Sequence, residues 1–301
     1  MRLRHIELFQ AILQTGSLTA AAQLLHISQP AASKILKHAE QQLGFALFSR
    51  VRGKLQPTAE ARVLQQETER LAADLQHLRR LAGSLGRGEE RALRLICTPA
   101  LGQALVPEAL RHWRARFART PCHLATQHTA EIVEALLLRE ADMGLTLQAV
   151  EHPGLRSEVL AQGQMMVIAP AGWWSDDELS QAVGLEQLSD APLIGLDTRD
   201  ALGGLLRHHL EALDSPPRIE TWVQTYQLAR SLVAAGQGLA LVDPLTARAD
   251  SGPPVQARVL DPSIPVPLYA LVRAQEVACL AQTELLNEIR RQALMVMMDH
   301  A

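Results

Sequence analysis

The stretch from Gly16 to Lys37 reads GSLTAAAQLLHISQPAASKILK and determines how the first part of the chain folds. Apolar residues recur at helical spacing before it, and Gly16 ends that run. Ser17 is placed to cap a short second helix and Ser28 to cap a third, with Pro30 in its first turn, where proline costs no hydrogen bond. Two short helices joined by a tight turn predict a helix-turn-helix.

The predicted third helix has one apolar and one polar face. Ala31, Ile35 and Ala39 are expected to face the core. The opposite face carries side chains that can donate to base edges and phosphates, namely Gln29, Ser33, Lys34 and Lys37. A three-helix docking module with a solvated polar face would show the same pattern, so helix periodicity alone leaves DNA recognition and protein docking open.

A basic hairpin is expected after these helices. Residues 50–55 read RVRGKL, with glycine at the tip, which is typical of a wing that follows phosphates or enters the minor groove. The distribution of charged residues along the chain agrees with a hairpin that follows phosphates. Residues 1–60 contain seven Lys or Arg and three acids, whereas the remainder contains 22 and 29, and a basic head on an acidic body suits a polyanionic partner.

Composition narrows the class of protein. The chain has 301 residues, of which 48% are apolar, enough for two or three domains with their own cores. No apolar run is long enough to span a membrane, and the charged first residues do not resemble a signal peptide. Cys97, Cys122 and Cys279 lie far apart, so we expect a reducing cytoplasm, no disulfide framework and no zinc site.

Residues 59–91 are expected to form a linker helix followed by a glycine-rich hinge. Leucines recur there every seven residues, with a second apolar position between them, which predicts a short coiled coil that pairs two copies. The residues expected at that dimer seam are Leu64, Leu71, Leu75 and Leu78. An amphipathic helix packed on its own domain is the alternative.

From Ala92 onward, short apolar runs alternate with helical stretches, which predicts parallel sheets with helices on both faces. We expect two lobes, the first from residues 92–162 and 267–301 and the second from residues 163–266. Within them, Leu101–Phe117 and Gln275–Met297 are each predicted to be one helix.

Ligands of two-lobed α/β folds bind at the carboxyl ends of the strands, between the lobes. Thr98, Thr129 and Thr225 each follow a predicted strand, where a hydroxyl can cap a helix or contact a ligand. His128 can likewise be a packing residue or a ligand contact. Arg199 is the one flexible cation in these turns that could pair with a carboxylate. A small organic acid or an amino-acid-like metabolite is the expected ligand.

The whole chain resembles the LysR-type transcription regulators. The resemblance is carried by Gly16-Ser17, Ala20-Ala21-Ala22, Ser28-Gln29-Pro30-Ala31, Ser33-Lys34, Leu47-Phe48, Pro57-Thr58 and the segment Leu232–Pro244. In two places the sequence departs from the pattern. Lys34 stands where arginine is common, which favours a single-point contact over a bidentate guanine contact, and Ala39 replaces a usual leucine.

The resemblance implies an N-terminal winged helix-turn-helix (1–58), a coiled-coil linker helix (59–91) and a two-lobed effector domain like the periplasmic binding proteins (92–301). It implies that Gln29, Pro30, Ser33 and Lys34 lie in the major groove and that Arg52 serves the wing. The full set of DNA contacts that we expect is Ser28, Gln29, Pro30, Ser33, Lys34, Lys37, Arg50, Arg52, Lys54 and Thr58. The resemblance also implies effector contacts at Thr98, Thr129, Thr225 and their neighbours. The full set of effector contacts that we expect is Thr98, Pro99, Ala100, His128, Thr129, Arg199, Leu202, Thr225 and Tyr226. The expected partners are double-stranded palindromic operator DNA, a small-molecule effector, further copies in a dimer or tetramer, and RNA polymerase.

An enzyme is not expected, because the sequence has no glycine-rich phosphate loop, His-Glu metal motif or nucleophile elbow. We therefore expect no catalytic residues, no metal and no cofactor. Two alternatives remain open at this point: a regulator that senses oxidation through Cys97, and a solute-binding or enzyme-like α/β protein that does not bind DNA.

Overall fold

A computed structural model of the chain describes residues 1–51, 54–86, 91–189, 191–197, 201–211, 213, 215–249 and 252–297. The chain separates into two compact units. The first is Met1–Gly88 with Leu138–Glu140, and the second is Glu89–Leu137 with Ala141–Ala301.

The first unit begins with helices α1 (Leu3–Thr15), α2 (Leu18–Leu24) and α3 (Gln29–Leu43). Ser17 and Ser28 cap α2 and α3 by accepting from the backbone N–H groups of Ala20 and Ala31, as the sequence predicts. Gly16 ends α1 with a φ of +66°, a conformation that favours glycine. The helix-turn-helix prediction is therefore confirmed.

The core of the first unit contains Leu8, Phe9, Ile12, Ala32 and Ala39, all buried. Ala39 therefore faces the core, as the sequence predicts. Ala31 and Ile35 are only partly buried, and Ala32 takes the central position instead.

Strands β1 (Phe48–Val51) and β2 (Lys54–Pro57) form the predicted antiparallel wing, with Arg50 opposite Leu55. The Glu40 carboxylate accepts from the backbone N–H of Leu47 at 2.8 Å, which ties the start of the wing to α3. Helix α4 (Ala59–Gly86) follows. Its first turns pack on the unit's own core, where Leu64 is partly buried and Gln10 donates to the Thr68 carbonyl at 2.7 Å.

The second unit contains two sheets. The first lobe is formed by β3 (Leu93–Cys97), α5 (Pro99–Ala104), α6 (Val106–Arg114), β4 (Cys122–Thr126), α7 (Thr129–Leu137), β5 (Met143–Thr146) and β6 (Leu155–Gln164). The second is formed by β7 (Met166–Pro170), α8 (Asp176–Leu179), β8 (Val183–Gly184), β9 (Leu193–Leu196), α9 (Ala201–Glu211), β10 (Ile219–Val223), α10 (Tyr226–Ala234), β11 (Leu239–Val242), α11 (Pro244–Ala247) and β12 (Val255–Asp261). The chain then returns to the first lobe as β13 (Pro265–Arg273) and α12 (Leu280–Met297).

The sheets are mixed. β3 is parallel to β4 and β5, and β9 is parallel to β10 and β11, as predicted, but the expectation of wholly parallel sheets was wrong. The strand orders are β4-β3-β5-β13-β6 and β10-β9-β11-β7-β12-β8. β13 runs antiparallel to β5 and β6, and β7 runs antiparallel to β11 and β12. β7 and β13 are the first strands that the chain forms after crossing to the other lobe. Each therefore enters its sheet from the end opposite to its neighbours.

Two predicted helices have different bounds. The helix predicted over Leu101–Phe117 is two helices, α5 and α6, separated at Leu105, whose φ of −118° departs from the helical mean of about −63°. Pro107 explains the break, because proline lacks the N–H donor and restricts the residue before it. The last helix begins at Leu280 and not at Gln275.

Candidate functional sites

The second unit contains a cavity of about 540 Å³ between its two lobes. Strand ends and helix starts from both sheets line it, in the position that the sequence predicts for a ligand site. The lining residues are Thr98, Pro99, Ala100, His128, Thr129, Ala130, Glu131, Val133, Thr146, Leu147, Gln148, Asp197, Gln224, Thr225, Tyr226 and Gln227. Seven of the nine residues singled out from the sequence are therefore brought together.

The other two are not placed in the cavity wall. Arg199 lies outside the described residues. Leu202 lies in the first turn of α9, and its side chain is outside the described part of the structure.

The three threonines at the strand ends differ in their hydrogen bonds. The Thr225 hydroxyl caps α10 by accepting from the Leu228 N–H at 3.2 Å. The hydroxyls of Thr129 and Thr146 lie 2.8 Å apart and bond to each other. The Thr98 hydroxyl is buried and has no protein partner, although Thr98 stands at the start of α5.

Gln227 is a cavity-lining residue that the sequence did not single out. Both polar atoms of its amide are buried without a hydrogen-bond partner, and the residue lines the cavity. Its position two residues after Thr225, in the first turn of α10, is a signal that could have been used. A buried amide left unpaired costs about 1–3 kcal/mol, so such groups are expected to meet a ligand or water.

The described wall of the cavity is acidic. Glu131, in the first turn of α7, and Asp197, at the end of β9, contribute one carboxylate from each lobe. Lysine and arginine are absent from the lining residues that the structure describes.

Cys97 lies just behind this wall, at the end of β3, and is 2% exposed. Its thiol is 3.9 Å from the carbonyl oxygen of Ala125. Burial raises the pKa of the Cys97 thiol to about 12. The thiolate needed for redox chemistry is therefore not formed near neutral pH, and the redox alternative finds no support.

The candidate DNA-reading face is the exposed side of α3 and the residue before it. Ser28, Gln29, Pro30, Ser33, Lys34 and Lys37 are all exposed. The backbones of Arg50 and Lys54 lie in β1 and β2, while their side chains, and Arg52 as a whole, lie outside the described residues. The Thr58 hydroxyl donates to the Ala46 carbonyl at 2.8 Å and accepts from the Ala61 N–H at 3.2 Å, so it also caps α4.

Within the described ranges, no group of His, Cys, Asp and Glu side chains is arranged to hold a metal ion. In the same part of the chain, no helix is both long and apolar enough to cross a membrane.

Residues 3–62 match the lysR family of bacterial regulatory helix-turn-helix proteins, and residues 86–294 match the LysR substrate binding domain. The chain belongs to the LysR family. The HTH-type transcriptional regulator DgcR of Pseudoalteromonas sp is 33% identical over 293 residues, covering 96% of this chain and 99% of that protein. The transcriptional activator protein LysR of Escherichia coli K12 is 30% identical over 248 residues, or 82% and 79% of the two chains.

Solved structures agree on the fold. Full-length CbnR, crystallised in a complex with its target DNA, superposes with a TM-score of 0.68 at 22% identity, covering 97% of this chain and 100% of that one. By its two family matches and its curated relatives, this member of the LysR family is a DNA-binding transcription regulator with an effector-binding domain.

Proposed function

We propose that α3 reads operator DNA in the major groove and that the β1–β2 wing follows the phosphates. The observation that carries this is the row of exposed donors on α3, a helix whose other face is fixed by a buried core. The proposed contacts are Ser28, Gln29, Pro30, Ser33, Lys34, Lys37, Arg50, Arg52, Lys54 and Thr58. The proposed domain bounds are 1–58, 59–91 and 92–301.

Ser33→Glu tests this interface. The substitution places a negative charge on the exposed face of α3, where it would repel phosphates, and we expect operator affinity to fall about tenfold or more. Gln42→Glu is the matched control, because Gln42 is exposed on the same helix but away from the proposed face. Footprinting with both proteins measures the difference. Equal protection by Ser33→Glu and wild type would refute the assignment.

We further propose that the cavity between the lobes binds the effector, a small carboxylate or an amino-acid-like metabolite. Support comes from the cavity volume of about 540 Å³ and from the unpartnered Thr98 hydroxyl in its wall. The proposed contacts are Thr98, Pro99, Ala100, His128, Thr129, Arg199, Leu202, Thr225 and Tyr226.

The proposed mechanism is a population shift. The effector stabilises a closed arrangement of the lobes, which alters how effector domains pack in a dimer or tetramer. The altered packing changes the spacing of the paired DNA-binding heads. The bend of a palindromic operator changes with that spacing. A coupling of about 1–3 kcal/mol between effector and DNA is sufficient, because that is the usual range for allosteric proteins. RNA polymerase is the proposed partner at the promoter.

Ala130→Trp tests the cavity. Ala130 is exposed in the cavity wall, so the larger side chain occupies ligand space without entering the core. In a thermal-shift screen of metabolites, compounds that raise the Tm of the full chain should lose that effect in Ala130→Trp. Shifts of unchanged size would place the effector elsewhere.

A further inference from the structure

The second lobe contains a further cavity, of about 450 Å³, where α8, β8 and β12 meet. It shares no lining residue with the cavity between the lobes. Small-molecule sites usually enclose about 300–1,000 Å³, so this volume admits a small ligand. The lining residues are Trp173, Trp174, Glu178, Gln181, Val183, Gln187, Leu188, Ala191, Leu239 and Arg258.

Arg258 is a buried cation in the wall of this cavity. It lies on β12 and is 6% exposed. Its Nε donates to the Gln181 carbonyl at 2.8 Å and its Nη2 to the Ala182 carbonyl at 3.0 Å, and its guanidinium lies over the Trp174 ring, 5.0 Å from the centroid. These contacts fix the guanidinium plane. The N–H donors of Nη1 have no partner in the described part of the chain.

The positive charge of Arg258 also has no counter-ion among the described residues. Glu178 lies in the same wall but forms no ion pair with it, because the Glu178 Oε2 accepts from the N–H and the hydroxyl of Ser175 at 2.9 and 2.7 Å. Those two hydrogen bonds lower the pKa of Glu178, and the charge of Arg258 makes the smallest contribution. A charge withdrawn from water without a partner is unfavourable, so an anion that pairs with Arg258 is favoured here.

The rest of the described wall offers apolar surface. Val183, Leu188 and Leu239 line the cavity and are each at most 2% exposed. Trp173 also lines it and is 47% exposed. An exposed indole is a flat apolar surface on which an aromatic ring can stack. The cavity therefore suits a molecule that combines a flat ring with one negative group.

We propose that this cavity is a second ligand site, which binds an aromatic monocarboxylate of one or two rings. Its carboxylate accepts from Nη1 and Nη2 of Arg258, each of which keeps an N–H for it, and its ring packs against Trp173 and the apolar wall. One unpaired cation beside Glu178 favours a ligand with a single negative charge over a phosphate ester with nearly two. The site goes beyond the proposed effector cavity and does not depend on it.

The chain has four tryptophans, which make this site directly observable. Fluorine NMR of the full chain labelled with 5-fluorotryptophan gives one signal for each, assigned with single Trp→Phe variants. We expect 2-naphthoate to move the signals of Trp173 and Trp174. Those of Trp113 and Trp222, which do not line the cavity, should stay in place. Signals of Trp173 and Trp174 that do not move at the solubility limit of the probe would overturn the proposal.

Matched probes test the two parts of the ligand. We expect 2-naphthamide, which keeps the rings but not the charge, to bind at least about tenfold more weakly than 2-naphthoate. Decahydro-2-naphthoate keeps the charge but not the flat rings, and should bind about threefold more weakly or worse. Equal affinity of the amide would refute the pairing with Arg258. Equal affinity of the saturated acid would refute the stacking, and tighter binding of 2-naphthyl phosphate would refute the monocarboxylate.

Arg258→Met tests the cation itself. The substitution keeps an unbranched side chain beside Trp174 and removes the charge, so 2-naphthoate and 2-naphthamide should bind with similar affinity. Arg156→Met is the control, because Arg156 is exposed on β6 and does not line the cavity, and it should keep the full preference for the acid. A tenfold preference for the acid that persists in Arg258→Met would refute the placement. If Arg258→Met does not fold, the comparison of acid and amide in wild type decides.

Ala130→Trp separates this site from the effector cavity. The substitution fills the effector cavity, and the added tryptophan gives a fifth signal there. We expect 2-naphthoate to move the signals of Trp173 and Trp174 as it does in wild type, whether or not the effector cavity is correctly assigned. Loss of those shifts in Ala130→Trp would show that the probe acts from the effector cavity, and would overturn the second site.

Discussion

Cys97 and Cys279 offer a comparison of two thiols in one chain. Cys97 is buried and burial raises its pKa to about 12, whereas Cys279 is exposed. Because the thiolate is the reactive form, we expect iodoacetamide to alkylate Cys279 in the native protein and to reach Cys97 only after unfolding. Peptide mass spectrometry measures both sites. Loss of DNA binding on peroxide treatment that Cys97→Ser prevents would restore the redox alternative.

His5 predicts a pH dependence of stability. Its side chain is 5% exposed, its Nδ1 accepts from the Arg2 N–H at 3.2 Å, and its Nε2 lies 3.2 Å from Nδ1 of His38 on α3. Burial, and then the neighbouring His38, lowers the pKa of His5 below 6.5. The neutral form is favoured in the folded state, so this stability is fully present above pH 6.5 and is lost as the pH falls towards the lowered pKa.

Urea unfolding measures the effect. The midpoint of the wild-type chain should fall between pH 7.5 and about pH 5 more than that of His5→Gln. His123→Gln is the control, because His123 is exposed in the second unit. The same pH slope in all three proteins would contradict the assignment.

Single residues also show what the sequence could and could not predict. The position of Thr98, Thr129 and Thr225 at strand ends followed from the alternation of apolar runs, and all three line the cavity. The sequence did not show which of the three hydroxyls lacks a hydrogen-bond partner. The partner of Thr129 is Thr146, which comes from another strand end, and sequence spacing does not define that contact.

At the level of elements, α4 carries the prediction of dimerisation. Leu71 and Leu78 are 47% and 59% exposed, although they belong to the heptad repeat, while Leu64 is partly buried in the unit's own core. Exposed leucines at that spacing are expected to pack against a second copy. We predict that Leu71→Lys with Leu78→Lys raises the dimer dissociation constant about tenfold or more, since each loses about 1.5–3 kcal/mol of burial.

Sedimentation equilibrium provides the measurement. Val63→Lys is the control, because Val63 is 75% exposed on α4 but outside the heptad positions. A double lysine variant that dimerises as tightly as Val63→Lys would show that this helix packs only on its own domain.

The elements that the sequence missed have a common cause. β6 combines buried and exposed positions without strict alternation, with four consecutive exposed residues after Leu155, so its pattern does not have a period of two. β12 is mostly half-buried and was missed for the same reason. Helices with a serine cap and a glycine end were predicted well, because those signals are local.

At the level of the whole molecule, the two lobes are joined where β6 leads into β7 and where β12 leads into β13. We propose that the lobes move as bodies about these two connections while the cavity between them opens or closes. In the proposed mechanism, a ligand in this cavity changes how the head binds DNA. The strength of this proposed link does not follow from local sequence signals.

DNase I footprinting of the operator, with and without the ligand found by thermal shift, tests this claim most directly. In wild type we predict that the ligand changes the length of the protected region or its hypersensitive sites. Ala130→Trp should protect the operator but show no response to the ligand. A ligand response that persists in Ala130→Trp, or a wild-type footprint that the ligand leaves unchanged, would contradict the account.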